Sequence, residues 1–294
     1  MKIINCKEVR DSILQRSKGE VAKINQKYNA SPSLVVVQVK GDDASNIYVR
    51  NKKKTCEKCG IKFTHIEFDN NAKYEDVKTL LLKLAEDSKV DGILLQLPLP
   101  AHLKKYEKDL INTIPWQKDV DGLTVESIGR LWSGLECIHP CTAEGIMNLL
   151  PNDLSGKNVL VINRSMLIGK PLVALLQSRN ATVTLAHSKS MLGHEMLCMP
   201  DIIITAVGKH GYLNELSMFE KCWLADADED YMIVDAAITR NSQGKLCGDI
   251  DLTNTQTKAQ ITPVPGGVGI LTTAILTKNT ILAFYLNRKY ENKN

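Results

Sequence analysis

No stretch of this 294-residue sequence strings together the roughly 18 apolar residues that a membrane-spanning helix needs, so no membrane partner is expected. Nor is there an excess of one charge. Thirty-seven Lys and Arg stand against 33 Asp and Glu, and basic runs such as Lys52-Lys53-Lys54 are short and alternate with acidic segments. Such runs read as solvated helix faces, which argues against a nucleic-acid partner. The opening MKIINCKEVRDSILQ carries acids and lacks the apolar core of a secretory leader. A cytoplasmic protein is the expectation.

A zinc or disulfide framework is also missing. Eight cysteines occur, but one CxxC, Cys56-Glu-Lys-Cys59, has no second CxxC and no paired histidines to complete a metal site. It closes a helix before Gly60 instead of opening one, as a thioredoxin-like redox motif would. Reduced thiols, no metal and a reducing compartment are expected. Two further absences concern nucleotides. There is no GxGxxG, and no acid ends the strand that would hold the ribose hydroxyls of NAD.

What is present is alternation. At this length two domains are the natural prior, since domains run about 100–200 residues. Leu34–Val39 is a β-branched run and predicts a buried strand; Asp42 and Asp43 can cap a helix over 44–58 that Gly60 ends. Lys62–Phe68 predicts a strand, 74–87 an amphipathic helix, Val90–Leu97 a strand stopped by Pro98 and Pro100, and then a polar helix to about Asn112. After the turn-rich Lys118–Gly122 the pattern restarts with strands at 156–162, 181–185, 201–205 and 231–235, a helix from Gly169 to Arg179, and a final apolar helix over 270–288. Strands alternating with helices imply parallel sheets, the second of them doubly wound.

Five segments carry chemistry. Tyr48 and Lys52 lie four apart, so a phenol and an amine share one helix face and can move protons together. The same spacing occurs in short-chain dehydrogenases, but there it follows the glycine-rich turn, whereas here it precedes the nucleotide pattern. Gln96 ends a strand, where ligands of parallel sheets bind. Asp119 and Asp121 sit in a turn that has too few oxygens for a metal. Asn163-Arg164-Ser165 leads from a strand into a helix starting near Gly169, a helix N-terminus suited to phosphate. Arg164, Ser188 and Lys189 favour an extra ribose phosphate, so NADP is expected, with NAD the alternative. The stiff loop Pro263-Val-Pro-Gly-Gly-Val-Gly269 can lie flat against a ligand.

Taken in order, Tyr48-Val-Arg-Asn-Lys52, Gln96-Leu-Pro98, Lys118–Thr124, Pro140-Cys-Thr142, Arg164-Ser165 with Gly169-Lys-Pro171, His187-Ser188 and Pro263–Gly269 resemble the bifunctional methylenetetrahydrofolate dehydrogenase/methenyltetrahydrofolate cyclohydrolase family. The resemblance spans nearly the whole chain. It implies an α/β protein of two domains with a cleft between them. One is a catalytic domain with a parallel sheet over 1–138, with a C-terminal helix at 271–294 packing back; the other is a Rossmann-type NAD(P) domain over 139–270. It implies Lys52 as the central catalytic residue, oriented by Gln96, with Tyr48 positioning the aminobenzoate and Asp121 the pterin edge of a folate substrate. Pro263 and Gly267 would also touch substrate. Asn163, Arg164, Ser165, Gly169, His187, Ser188, Ala206, Gly208 and Ile238 would meet the cofactor, and the chain would pair as a homodimer. Beside a cationic methenyl carbon, like-charge repulsion would favour a neutral Lys52 that takes a proton from water. A member keeping one activity, or a folate binder without turnover, is the alternative. The chain departs from the family at Asn163 (usually Gly), Ala143 (usually Pro), Ala236-Ala-Ile-Thr239 and Ile270-Leu-Thr272. At Ala237 a methyl is expected where a glycine would approach the cofactor.

Overall fold

The computed structural model describes residues 1–41, 43–216, 230–253 and 257–291. They form two compact units, Asp11–Cys141 with Thr273–Asn294, and Met1–Arg10 with Thr142–Thr272. The expected boundary therefore shifts at the start of the chain. The strand β1 (Lys2–Ile3) pairs in parallel with β11 (Gln260–Ile261), so the first ten residues belong with the second unit and not with 1–138.

In the first unit, the three-stranded sheet β3-β2-β4 is parallel throughout: β2 (Ser33–Val39) lies between β3 (Lys62–Phe68) and β4 (Gly92–Leu95). A central strand of a parallel sheet is covered on both faces, which explains why Leu34–Val39 is apolar almost throughout. Around it run α1 (Cys6–Tyr28), α2 (Asp43–Lys58), α3 (Tyr74–Glu86), α4 (Glu107–Ile111) and α5 (Val125–Trp132). Val35, Val37, Leu81, Ile93, Leu103 and Leu110 form part of one core. Gly60, at φ +81°, closes α2 as expected, while Asp42, the other expected capping feature, lies outside the described residues. The expected polar helix before Asn112 is a single 3₁₀ turn at Lys104–Tyr106 followed by the five-residue α4.

The second unit holds α6 from its second residue (Cys141–Met147), β5 (Asn158–Ile162), α7 (Gly169–Gln177), β6 (Thr182–Ala186), α8 (His194–Cys198), β7 (Ile202–Thr205), β8 (Met232–Asp235) and a small antiparallel ribbon of β9 (Thr239–Arg240) and β10 (Leu246–Cys247). Its main sheet is parallel, in the order β1-β11-β8-β7-β5-β6. Register aligns the strand ends: Ile162 pairs with Ala186 and with Thr205, and Thr205 with Asp235. The turns that follow thus leave one edge of the sheet side by side, the edge at which doubly wound sheets bind ligands.

The last helix, α9 (Gly269–Glu291), is long and apolar enough by length and composition to cross a membrane, which the sequence alone did not suggest. Within the first unit it is a core helix. Ala274, Ile275, Leu276, Ala283 and Phe284 are buried, Asn287 Nδ2 donates to Asp91 O at 2.8 Å, and Arg288 pairs with the buried Asp91 at 2.7 Å.

Cys6, Cys56, Cys59, Cys137, Cys141 and Cys247 are free, as expected, but Cys198 is disulfide-bonded, so the expectation of reduced thiols throughout fails there. The CxxC thiols are buried, and that of Cys56 is pushed up to about 12, by burial first and then by Cys59. A thiol so held is a poor nucleophile. Among the described residues no group of three or more His, Cys, Asp or Glu side chains is placed to hold a metal ion.

Candidate active site

In the first unit, Tyr48 and Lys52 lie one turn apart on α2. Lys52 is half-buried, and its Nζ donates to Gln96 Oε1 at 2.9 Å. Gln96 is fixed from two directions. Its backbone N–H continues the sheet to Val37 O at 2.8 Å, and its side-chain Nε2 donates to Leu97 O at 2.6 Å. With the amide nitrogen so engaged, only the oxygen faces the lysine, and the amine gains an acceptor without gaining a counter-charge. Tyr48 remains 47% exposed, leaving its ring face open to a ligand.

The Lys118–Gly122 turn runs beside β4, with Ile93 N donating to Lys118 O at 2.8 Å and Ile93 bridging to Asp119. Its first two charged residues are structural. Lys118 Nζ reaches the carbonyls of Leu84 and Asp87 at the end of α3, where a cation suits the exposed carbonyls. Asp119 Oδ2 accepts from Thr124 N and Ser127 Oγ, both at 2.8 Å, and burial pushes its carboxyl up to about 6 against those bonds. Thr124 in turn caps α5, accepting from Ser127 N. Thr124→Ala is expected to lower unfolding free energy in urea by about 1 kcal/mol.

Asp121 is the turn's half-buried carboxylate. The buried Cys141 thiol is pushed well above its ordinary range, first by burial and then by Asp121, while Lys52 opposes the shift. Carboxylate and amine therefore both act on one buried sulfur. Gly122, at φ +64°, lets the turn pass the next segment, since a Cβ there would come within 2.6 Å of Ile138 O. Asn279 of α9 completes the frame, its Nδ2 donating to Val120 O at 2.8 Å and His139 O at 2.9 Å. Neither Asn279 nor the position of Cys141 follows from motif spacing. The available signal was the amide of Asn279 inside the apolar run of the last helix.

In the second unit, the turn after β5 is built on Asn163. Its Oδ1 accepts from Ser165 N at 2.8 Å, Ser165 Oγ at 2.7 Å and Gly169 N at 3.0 Å, and its Nδ2 donates to Ala206 O at 2.7 Å, joining the turn after β7. Ser165 Oγ also accepts from Ile168 N at 3.1 Å. The expected phosphate seat at the start of α7 is thus partly filled by this chain's own carboxamide. Gly169 contributes close approach instead, for a Cβ there would lie 1.8 Å from Asn163 O. Arg164 is exposed and makes no hydrogen bond or ion pair with another described residue. Ser188 and Lys189 are exposed in the adjacent turn, whose His187 Nδ1 accepts from Lys189 N at 3.2 Å. Ala237 is buried and its N–H donates to Asp235 Oδ1, whereas Ile238 is 48% exposed. The Pro263–Gly269 loop continues β11, with Gly266 at φ +95° and Gly267 close enough to Pro263 O that a Cβ would lie 2.2 Å from it.

Residues 4–121 match the family model of the tetrahydrofolate dehydrogenase/cyclohydrolase catalytic domain, and residues 140–288 match that of the same family's NAD(P)-binding domain. The chain belongs to this family.

The bifunctional protein FolD of Campylobacter hominis is 40% identical over 286 residues, covering 96% of each chain. That of Bacillus cereus is 40% identical over 95% of each. The crystal structure of the bifunctional FolD dehydrogenase/cyclohydrolase of Campylobacter jejuni superposes with a TM-score of 0.88, at 34% identity and with 97% and 99% of the two chains covered. A Trypanosoma brucei FolD, solved with NADP and an inhibitor, gives 0.85 at 29% identity over 98% of each chain.

Within this family frame, Lys52 and Gln96 are brought into direct contact, and Asp121 acts on the buried Cys141 thiol. Asn163, Ser165, Gly169 and Ala206 form one bonded group, whereas Arg164, Ser188, Gly208 and Ile238 lie open at the sheet edge.

Proposed function

We propose that this chain oxidises methylenetetrahydrofolate to methenyltetrahydrofolate with NADP and then hydrolyses the product to formyltetrahydrofolate, working in the cytoplasm as a homodimer. The observation that carries the reading is the Lys52 Nζ–Gln96 Oε1 hydrogen bond at the end of a parallel strand.

Lys52 is the acid–base residue of the hydrolytic step. Gln96 accepts from the amine and aims it, and a neutral acceptor holds a lysine without locking its proton in place as a carboxylate would. When water adds to the methenyl carbon, the amine takes the water's proton and returns it to the ring nitrogen that departs. The substrate's own positive charge drives the addition. Asp121 accepts from the amino edge of the pterin, and the open ring of Tyr48 positions the aminobenzoate. Pro263 and Gly267 supply flat backbone for the substrate.

NADP, when bound, supplies the hydride acceptor. The chain's residues fit such a group through an exposed Arg164–Ser188–Lys189 donor set that suits an extra ribose phosphate. Asn163, Ser165, His187, Ala206, Gly208 and Ile238 shape the turns that receive it. Arg164→Ala is expected to raise the KM for NADP about tenfold or more while changing that for NAD less than about threefold, measured as initial rates of cofactor reduction. Equal changes with both cofactors would remove Arg164 from phosphate recognition.

A further inference from the structure

Two buried carboxylates lie beneath the turns at the carboxyl edge of the second unit's sheet, and the chemistry above does not use them. Asp249 is fully buried and has every acceptor position engaged. Its Oδ2 accepts from Thr205 Oγ1 at 2.6 Å and Val207 N at 2.7 Å, and its Oδ1 from Gly208 N at 2.8 Å and Lys209 N at 2.9 Å. Three successive backbone N–H groups thus converge on one carboxylate, with Gly208 turned to φ +81°. Asp235, at the end of β8, does the same for the next turn. Its Oδ1 accepts from Ala237 N and its Oδ2 from Ile250 N, both at 3.0 Å.

Gly248, one residue before Asp249, lets the backbone pass against the Asp235 carboxylate; a Cβ there would lie 2.1 Å from Asp235 Oδ2. No cationic side chain among the described residues forms an ion pair with either carboxylate. Burial first, and then the charge of Asp249, push Asp235 up to about 7. Two neighbouring acids without a cation are a costly way to stabilise a fold. A backbone turn needs no such device unless its shape matters.

We infer that Asp249, seconded by Asp235, is a positioning residue for the dinucleotide: its carboxylate folds the Ala206–Lys209 turn into the shape that receives the cofactor, and Asp235 does so for Ala236–Ile238. The inference rests on the proposed NADP-dependent reaction and deepens it. Because the acid–base residues of cyclohydrolysis, Lys52 and Gln96, lie in the first unit and the step uses no cofactor, the two activities separate the effect from a general loss of structure. The carboxamide of Asp249→Asn turns one acceptor into a donor facing N–H groups, so the turn must open.

The test is fluorescence titration of wild type and Asp249→Asn with NADPH, alongside hydrolysis of added methenyltetrahydrofolate. The expected result is a rise of at least tenfold in the NADPH Kd and in the KM for NADP, with dehydrogenase kcat at saturating cofactor within threefold and cyclohydrolase rate within twofold of wild type. Thr205→Val, which removes one of the four bonds and keeps the carboxylate, should raise the Kd two- to fivefold, and it carries the test if Asp249→Asn does not fold. An unchanged Kd in a folded Asp249→Asn, or in Thr205→Val where only that variant folds, overturns the inference, as does a parallel fall of both activities. A wild-type protein that neither binds NADPH nor reduces NADP overturns instead the reading on which the inference rests.

Discussion

Lys52→Met is expected to reduce hydrolysis of methenyltetrahydrofolate by about a hundredfold to ten-thousandfold, the range that a positioned acid–base group contributes. Methionine nearly matches lysine in length and is apolar, so it can occupy the same half-buried space on α2. What disappears is the atom that donates to Gln96 at 2.9 Å and can exchange a proton with water. Gln96 keeps its backbone bond to Val37 and its side-chain bond to Leu97, so the strand end need not rearrange. The thermal midpoint should therefore stay within a few degrees of wild type. The check is the absorbance decay of added methenyl compound, with no cofactor present, beside a melting curve of the same preparation. Decay at the wild-type rate would remove Lys52 from the mechanism.

The second large effect is expected at the other activity. Gly169→Ala sets a methyl carbon 1.8 Å from the carbonyl oxygen of Asn163, with the Asn163 carbonyl carbon at 2.4 Å. The neighbours are backbone, not the free end of a side chain, so the turn itself must open by about 1.5 Å to restore a normal contact. That opening breaks the Gly169 N bond to Asn163 Oδ1 and pulls on the carboxamide that also holds Ala206. A displacement of this size at a ligand-positioning element costs roughly a hundredfold in rate. NADP reduction should fall by that order, while hydrolysis of methenyltetrahydrofolate, whose acid–base residues Lys52 and Gln96 lie in the first unit, keeps more than about half its rate. Equal losses in both assays would show that the substitution unfolds the protein and does not act on the cofactor turn.

These predictions also mark where the sequence was legible. Leu34–Val39 was readable because a buried parallel strand is apolar throughout, Lys62–Phe68 because its side chains alternate, and the helix from Tyr74 because an amphipathic helix repeats its apolar face. The helix α1 was not, though it spans 23 residues. Its buried positions, Cys6, Ile13, Ser17, Val21 and Ile24, make a thin stripe with a serine in it, set among charged residues. β1 and β11 have two residues each, too few for any period, and so the assignment of the first ten residues to the second unit was invisible. At the site, Lys52 and Gln96 were named from residue type and strand position. Their contact depends on a pairing 44 residues apart that only the fold makes.

The turns were the hardest part. Lys118, Asp119 and Asp121 look alike as charged residues in one loop. The fold separates them by what each touches: carbonyls of α3, the cap of α5, and the buried Cys141 thiol. Asn163 replaces a residue that is usually glycine, and its side chain then takes donors that a bare turn would leave open.

The most direct measurement is a single progress curve in which the protein receives methylenetetrahydrofolate and NADP while reduced cofactor and methenyl compound are followed together. Reduced cofactor should accumulate with formyltetrahydrofolate as the matching product, and the methenyl compound should stay at a low steady level. Methenyl compound rising mole for mole with reduced cofactor would contradict the account, as would no reduction at all.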